Sequence, residues 1–576
     1  MSEYNVYVDR SKLELQISNN NIYLPYAKDG RYWNDICRSV KLTSQDGNAT
    51  DEVRDLVDVS IAIFNLDKLC PREMRERWVR RINLHIGLRN AAAFRQIKDK
   101  LEWALSVLGA DNINFVISDY VDQEFTSFRP NKFSRKIRNA TDICLLSGGQ
   151  DSLVGAAKLL DEDKNLIFVR INTNDRANLS QIQGHLGVVE NGSFNFFSQT
   201  AVNPGDTPYE KESSQRLRSF HFLSIASVIA KLNNLEDIYI NENGIMAVHL
   251  PLDVARSSSF STRTAYPLFL KLFGEVVSTW LDTTINIKNK LALYTKAEVL
   301  ELGYSLNIDD AIDWTVSCAH SGTIQQTVKK QRSKDYLMAP TADEYHCGYC
   351  FPCVLRRLSM WKNGKGDDDV IYATNPFKVI VDGSAKDFKF VYEASTAILG
   401  LIRFVKKFEG MSRAEIISDY PQVLECGYVL GVGSVDEIIL MHERFKDDVF
   451  NYINQEASYL LFLLDDNIAS QMEERMQNIG VDELMNSALN RANVELTDAF
   501  YKQAENMFDF LRLRIQVALA TGQMNESEMK TLVSRVIEEI VPSNSNGVTK
   551  LTMRDSREFK EKVWGKITDQ PCPPFW

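Results

Sequence analysis

One six-residue stretch constrains this chain more than any other: Ser147-Gly148-Gly149-Gln150-Asp151-Ser152. It follows the apolar run Ile143-Cys144-Leu145-Leu146, which reads as a buried strand, and Ser152 with Leu153-Val154-Gly155-Ala156-Ala157 then opens a helix. Strand, glycine turn and helix in that order predict α/β architecture with an anion held at the helix start. Two adjacent glycines let backbone approach an oxyanion with no Cβ in the way, and the first amides of a helix point their dipoles at it. Ser147 and Ser152 add hydroxyl donors. Asp151 would repel a phosphate, so it either holds Mg2+ or orients a cationic group that shields the charge. Taken alone, Gly-Gly favours a tight turn with no ligand, and it is the whole strand-loop-helix context that favours the anion cradle.

The surrounding pattern supports a doubly wound parallel sheet. Asp142–Leu146, Asn165–Ile171, Ser193–Gln199, Asp237–Ile240 and Thr284–Ile287 read as buried parallel strands, alternating with helices over Ser152–Leu160, Ser213–Leu232 and Lys296–Leu302. Upstream, Val6 to Pro25 reads as strands of a small sheet, Pro71 to Leu108 has apolar residues at helical spacing, and Asn112 to Ile117 reads as another strand. Downstream of about Ala394, helical periodicity dominates, as in Glu456–Met472 and Leu496–Ala520, and the tail Pro571–Trp576 is too proline-rich to be helical. A chain of 576 residues suggests three units. The expected division is an appended α+β domain over 1–138, a catalytic domain over 139–364 and a mainly helical domain over 365–576.

Composition removes several classes. No apolar run approaches the roughly 18 residues needed to span a bilayer, so no membrane partner is expected. The first residues, Met1-Ser2-Glu3-Tyr4-Asn5, lack the order of a secretory signal, so a cytoplasmic location and free thiols are expected. A net charge of -11 argues against general nucleic-acid binding while leaving room for a small anion at a local basic site. The nine cysteines are unevenly placed, because Cys318, Cys347, Cys350 and Cys353 share one stretch. Thiols at i, i+3 and i+6 can surround one tetrahedral ion, and Cys318 supplies the fourth ligand of a closed Zn2+ clamp with no open position for chemistry. His320 and His346 compete for that place, and unrelated buried cysteines or a redox Cys-x-x-Cys are the alternatives.

Ser-Gly-Gly-x-Asp-Ser after a strand resembles the PP-loop of the adenine nucleotide α-hydrolases, a HUP-like fold whose members split ATP into AMP and pyrophosphate. Joined to the four cysteines, the resemblance narrows to the QueC family, the 7-cyano-7-deazaguanine synthases. Thr295-Lys296-Ala297-Glu298-Val299-Leu300-Glu301-Leu302-Gly303 is similar to that family's Thr-Lys-Ala-Glu segment, and Ser317-Cys318 with Cys347 to Cys353 and Arg356 is similar to its zinc knuckle. Arg218-Ser219-Phe220-His221-Phe222-Leu223 resembles its Arg-Asn-x-x-Phe-Leu helix, and Asn241-Glu242-Asn243-Gly244 stands where the family places substrate-facing residues. The resemblance covers about Thr141 to Arg357. It departs at Asn172-Thr173-Asn174-Asp175-Arg176, where the family carries Tyr-Gly-Gln near the adenine, and at Arg263-Thr264-Ala265-Tyr266-Pro267, which stands for its Tyr-Pro-Asp-Cys-Arg segment. With the added domains, the chain looks most like the enlarged QueC-like proteins of bacterial antiphage defence systems.

What the resemblance implies is an ATP-dependent carbon–nitrogen ligase. ATP and Mg2+ would sit at Ser147 to Ser152, with Asp151, Ser152, Lys296 and Arg218 as catalytic groups. Arg218, Arg263 and Lys296 are the cations suited to phosphate or carboxylate, and Glu242, Asn243 and Gly244 with Arg263 would face a 7-carboxy-7-deazaguanine. An adenylated carboxylate would then meet an amine, from ammonia in the housekeeping family and from a partner protein in the defence relatives; a homodimer is compatible with this reading. A tRNA-modifying PP-loop ligase and a nucleotide-sensing scaffold without turnover are the rival classes.

Overall fold

The structure is a computed structural model that describes residues 3–12, 14–26, 50–71, 79–121, 140–172, 179–187, 193–197, 212, 216–248, 263–318, 346–365, 372, 375, 377 and 388–458. The chain forms two compact units, Met1–His249 with Ser259–Ala397, and Leu250–Ser258 with Ile398–Trp576. The first unit is mixed α/β and contains both sheets.

The amino-terminal sheet has the order β2-β3-β1-β4-β5. Its strands are β1 Glu3–Asp9, β2 Gln16–Ser18, β3 Asn21–Pro25, β4 Arg81–Leu88 and β5 Asn112–Asp119, and β2 is antiparallel while the other pairings are parallel. β4 lies inside the stretch read as helical over Pro71 to Leu108. Its sequence Arg-Ile-Asn-Leu-His-Ile-Gly-Leu alternates strictly, burying Ile82, Leu84, Ile86 and Leu88. That is period 2, and the helical spacing belongs only to the residues after it. One face of the sheet packs under α1, Asp51–Leu69, and α2, Ala91–Gly109. The other carries Asn21, Asn5, Asn83 and Asn114 in register, linked amide to amide at 3.1–3.2 Å. Beside that row, the rings of Tyr23, Tyr7 and His85 stack with centroids 4.8 and 4.3 Å apart.

The second sheet is wholly parallel in the order β10-β9-β6-β7-β8. Its strands are β6 Asp142–Leu145, β7 Leu166–Asn172, β8 Ser193–Phe197, β9 Asp237–Tyr239 and β10 Asn286–Lys288, within a residue or two of the five segments that periodicity singled out, with Ser198 and Gln199 of the third lying outside the described residues. Between and after them come α3 Gln150–Asp161, α4 Leu179–His185, α5 Arg218–Asn233, α6 Gly244–Val248, α7 Pro267–Trp280, α8 Lys296–Ser305, α9 Asp309–Asp313 and α10 Phe351–Lys362. The core beneath the loop joins Cys144, Leu146, Leu153 and Val154 to Val299 and Leu300 of α8. Burial on both faces explains the apolar runs Ile143–Cys144 of β6 and Leu166–Val169 of β7.

The two sheets are joined through α1 and α5. Arg80, 1% exposed, donates to Asp67 at 2.7 Å and Asp111 at 2.5 Å, and Asp67 Oδ2 also accepts from Leu217 N at the start of α5. A guanidinium cannot shed its proton, so this burial is sustained by the two carboxylates and by the carbonyls of Asp67 and Cys70.

In the second unit the described helices are α11 Phe388–Phe408, which begins in the first unit, α12 Arg413–Asp419, α13 Gln422–Leu424 running into a π turn at Glu425–Val429, and α14 Val435–Glu456. Ser412 with Glu415 and Ser434 with Glu437 form capping boxes, so both starts are locally encoded. The helix expected at Glu456–Met472 lies almost entirely outside the described residues, and that at Leu496–Ala520 lies wholly outside them.

Candidate functional site

In a doubly wound sheet, ligands bind beyond the carboxyl ends of the strands where successive connections leave in opposite directions. In the second sheet that point lies between β6, whose chain moves on to β7 and β8, and β9, reached by the return crossing. The Ser147–Ser152 loop follows β6 and Asn241-Glu242-Asn243 follows β9, so topology alone brings these two segments to one crevice.

Gly148 has φ +82°, a left-handed conformation that favours glycine, and it turns the chain so that α3 begins at once. The loop's amides are met by hydroxyls: Gly149 N donates to Ser147 Oγ at 3.3 Å and Gln150 N to Ser317 Oγ at 3.4 Å. Ser147 Oγ donates to Ser152 Oγ at 3.0 Å, and Ser152 Oγ to Gly149 O at 2.9 Å. The amide bonds are long, and both hydroxyls can be displaced by a better acceptor. Phosphate oxygens are such acceptors.

Asp151, on the first turn of α3, is 7% exposed. Its Oδ1 accepts from Lys296 Nζ at 2.7 Å and its Oδ2 from Asn243 Nδ2 at 2.8 Å. Burial pushes this carboxyl up, but the Lys296 ammonium and the hydrogen bonds outweigh it and hold the group below the ordinary carboxylate range. Of the two roles open to Asp151, orienting a cation is therefore realised within the protein itself. Lys296 is placed by its own sequence: Thr295 and Glu298 form a capping box, Glu298 N to Thr295 Oγ1 at 3.2 Å and Thr295 N to Glu298 Oε2 at 2.8 Å, which fixes the first turn of α8. Asn243 caps α6 through Met246 N at 3.1 Å, and Gly244 N donates to Tyr294 O at 2.8 Å. Glu242 is clasped by Asn289, which accepts from its amide at 3.2 Å and donates to its carbonyl at 2.8 Å.

The structure thus gathers Ser147, Gly148, Gly149, Gln150, Asp151, Ser152, Lys296, Glu242, Asn243 and Gly244 around one crevice. The described contacts of the remaining two cations lie elsewhere. Arg218 is exposed, its guanidinium 5.0 Å over Phe222 on its own helix, and Arg263 donates to Val107 O of α2 at 3.3 Å. Ser317 and Gly155 have site roles that the sequence alone does not reveal, and Asn241, read there only within its segment, has a role different from facing a substrate. Ser317 stands out in the sequence only as the neighbour of Cys318. Asn241, 5% exposed, donates to Cys144 Sγ at 3.6 Å, and Gly155 makes room for it, since a Cβ there would lie 2.2 Å from Asn241 Cγ. Nothing local announces such a requirement, because it arises between a helix and a strand end far apart in sequence.

Cys318, Cys347, Cys350 and Cys353 converge, all four sulfurs lying within 4.8 Å of one another. A tetrahedral ion with bonds of about 2.3 Å sets its sulfurs about 3.8 Å apart, and Cys347 Sγ lies 3.7 Å from Cys353 Sγ. Cys350 N donates to Cys347 Sγ at 3.2 Å and Cys347 N to Cys318 Sγ at 3.3 Å, contacts that favour thiolates. Burial pushes the Cys347 and Cys353 thiols up, while the hydrogen bond with Cys347 holds Cys318 down. A divalent cation would reverse the first two shifts by ligating the thiolates, so the cluster could hold a metal such as zinc. His346 is not among the gathered ligands, and its Nε2 accepts from Ser317 N at 3.2 Å. His320 lies outside the described residues.

Among the described residues, no helix is long and apolar enough to cross a membrane. Compared with protein-family models and with curated proteins, the chain matches none.

Proposed function

We propose that this chain is an ATP-using enzyme of the PP-loop type, QueC-like in its chemistry, that adenylates the carboxylate of a 7-carboxy-7-deazaguanine-type substrate and passes it to an amine. The observation that carries the reading is the Ser147–Ser152 loop at the switch point of a parallel sheet, with Lys296 bonded to Asp151 beside it. Amides of a glycine turn and one buried ammonium are the groups needed to take up charge on departing pyrophosphate. A substrate carboxylate oxygen bonds to the α-phosphorus, the bond from that phosphorus to the bridging oxygen breaks, and the electron pair leaves with pyrophosphate. The amine nitrogen then bonds to the carbonyl carbon, AMP departs with the carbon–oxygen electron pair, and the nitrogen loses a proton.

The protein's part is alignment and neutralisation. Lys296 supplies positive charge, Asp151 and Asn243 orient it, and the Glu242 carboxylate at the end of β9 offers an acceptor to a purine-like edge, whereas Asn243, 1% exposed, commits its two amide protons to Asp151 and Glu242 and acts as their positioner. Asp151 and Glu242 are the carboxyls that would hold Mg2+, which would shield the phosphates when bound. Zinc at the four cysteines would act as a closed structural clamp.

The test is AMP formation from ATP with 7-carboxy-7-deazaguanine, using zinc-loaded full-length protein with and without its co-expressed neighbours. Substrate-dependent AMP is expected, together with a deazaguanine mass addition on a partner protein or, with ammonia, a free amide or nitrile. Asp151→Asn should abolish turnover. A folded, zinc-loaded preparation that makes no substrate-dependent AMP under either condition would sink the proposal. Nucleotide-dependent assembly that survives Asp151→Asn would identify a sensor.

A further inference from the structure

We propose that Ser317 is a positioning residue through which the four-cysteine cluster sets the shape of the phosphate loop, so that the cluster's state governs how well the loop holds an anion. Residues 315–318 run between the two. On the cluster side they are gripped along their length. Arg356 Nη1 donates to Thr315 Oγ1 at 2.8 Å, Ser317 N donates to His346 Nε2 at 3.2 Å, Cys353 Sγ lies 4.0 Å from Ser317 O, and Cys318 belongs to the cluster itself. On the loop side, Val316 N donates to Gly148 O at 3.0 Å and Ser317 Oγ accepts from Gln150 N at 3.4 Å.

The Gly148 contact matters because the left-handed turn at φ +82° is cheap for glycine but so are its alternatives, and the Val316 amide on its carbonyl favours the conformation in which the next two amides meet the Ser147 and Ser317 hydroxyls. The Gln150 contact places a side-chain oxygen on one of the amides that would face phosphate. A third tie runs from α10, where Met360 Sδ accepts from Gln150 Nε2 at 3.7 Å. Knuckle, the 315–318 segment and loop therefore form one hydrogen-bonded series, although Ser317 stands 167 positions from Gln150 in sequence.

The consequence for anion affinity rests on reading the loop as phosphate-binding, and the experiment separates the two ideas. Hydrogen exchange of the full-length protein without nucleotide is followed over 146–151 and 347–353, with α7 as an internal control. In metal-loaded Ser317→Ala the loop should exchange faster while 347–353 stays protected and metal content is unchanged. Stripping the metal from the wild type with a chelator should loosen both segments, and Ser317→Thr should restore the loop. Pyrophosphate binding, measured by calorimetry, should weaken roughly 5- to 10-fold in Ser317→Ala, because the hydroxyl that the anion displaces from the Gln150 amide is itself a donor to the anion, one hydrogen bond in size. Unchanged loop exchange in Ser317→Ala, or a stripped protein whose loop stays protected, overturns the proposal. If the exchange results hold but the wild type binds no pyrophosphate, the mechanical coupling stands and the phosphate reading falls.

Discussion

The two sheets of the first unit are built alike and finished differently. Both have a switch point between adjacent parallel strands, β1 and β4 in the amino-terminal sheet, β6 and β9 in the second. In the first, the residues directly after the strands are Arg10, Tyr26, Arg89 and Tyr120, and α1 closes on them with Asp55 and Asp58. Asp58 accepts from Arg10 at 2.7 Å, Arg89 at 2.8 Å and Tyr26 at 2.9 Å, and the Arg10 guanidinium lies 4.1 Å from the Tyr120 ring centroid. That crevice is filled by its own charges. In the second, a glycine turn leaves amides to be met by serine hydroxyls, and one buried ion pair faces them. Architecture supplies the crevice in both sheets; side-chain chemistry decides whether it is stoppered or left to a ligand.

The contrast is tested most severely by removing one carboxylate from each end. Asp58→Ala removes the carboxylate that Arg10 and Arg89 share; Arg89 keeps Asp55 at 2.9 Å, but Arg10 is left with the Gly87 carbonyl at 3.3 Å and cannot neutralise itself, so the opening free energy of β1 and β4 should fall by about 3–5 kcal/mol. Hydrogen exchange of those strands measures it. Asp151→Asn orphans only Lys296, which can shed its proton, and the loss should be about 1–3 kcal/mol. Adding Lys296→Met should recover much of that stability without restoring the turnover proposed above. Equal losses at Asp58 and Asp151, with no recovery in the double variant, would break the distinction between a stopper and a site.

Acid provides the next smaller test. Burial pushes the Asp58 carboxyl up, yet Arg10 and Arg89 outweigh it and hold the group at about 2, against an ordinary 3.8. A depressed carboxylate stabilises the fold above its unfolded pKa, and that contribution disappears as pH falls through the folded value. The amino-terminal sheet should therefore keep this contribution from pH 7 to about 5 and lose about 2 kcal/mol between pH 4 and 2. Asp58→Asn, weaker at neutral pH, should show no such step. A step at pH 5 to 6 in the wild type would mean that the two arginines do not hold Asp58 as the distances indicate.

How much of this could be read in advance depended on whether the information was local. The second sheet was legible because each strand is a short apolar run between turn signals, and the loop because its glycines and serines are contiguous. The cysteine cluster was legible because three of its members fall within seven residues. β4 was not, because its alternation sits directly before a strongly helical segment and was absorbed into it. The contacts that give Ser317 and Asn241 their roles were not legible, because they form only once the chain has folded, across 167 and 97 positions respectively. The Arg10–Asp58–Arg89 cluster was missed for the same reason, since single charges scattered over eighty residues carry no pattern.

The smallest expected effect concerns the face of the amino-terminal sheet opposite α1 and α2. Parallel sheets are ordinarily covered on both sides, and this one carries Asn and aromatic rows instead, with Val116 40% exposed. Neighbouring side chains in such a row contribute about 0.2–1 kcal/mol per pair, the range for cross-strand contacts on a solvated face. Tyr7 touches both Tyr23 and His85, so Tyr7→Ala should cost no more than about 1–2 kcal/mol, and Asn83→Ala less than about 1. Exchange of the β1 and β4 amides reads both. Ile82 and Leu84, on the covered face of the same strand, set the scale, since truncating either to Ala should cost about 2–5 kcal/mol. If Tyr7→Ala approached that value, the aromatic row would be acting as a core in solution, and the sheet would be covered on both sides after all.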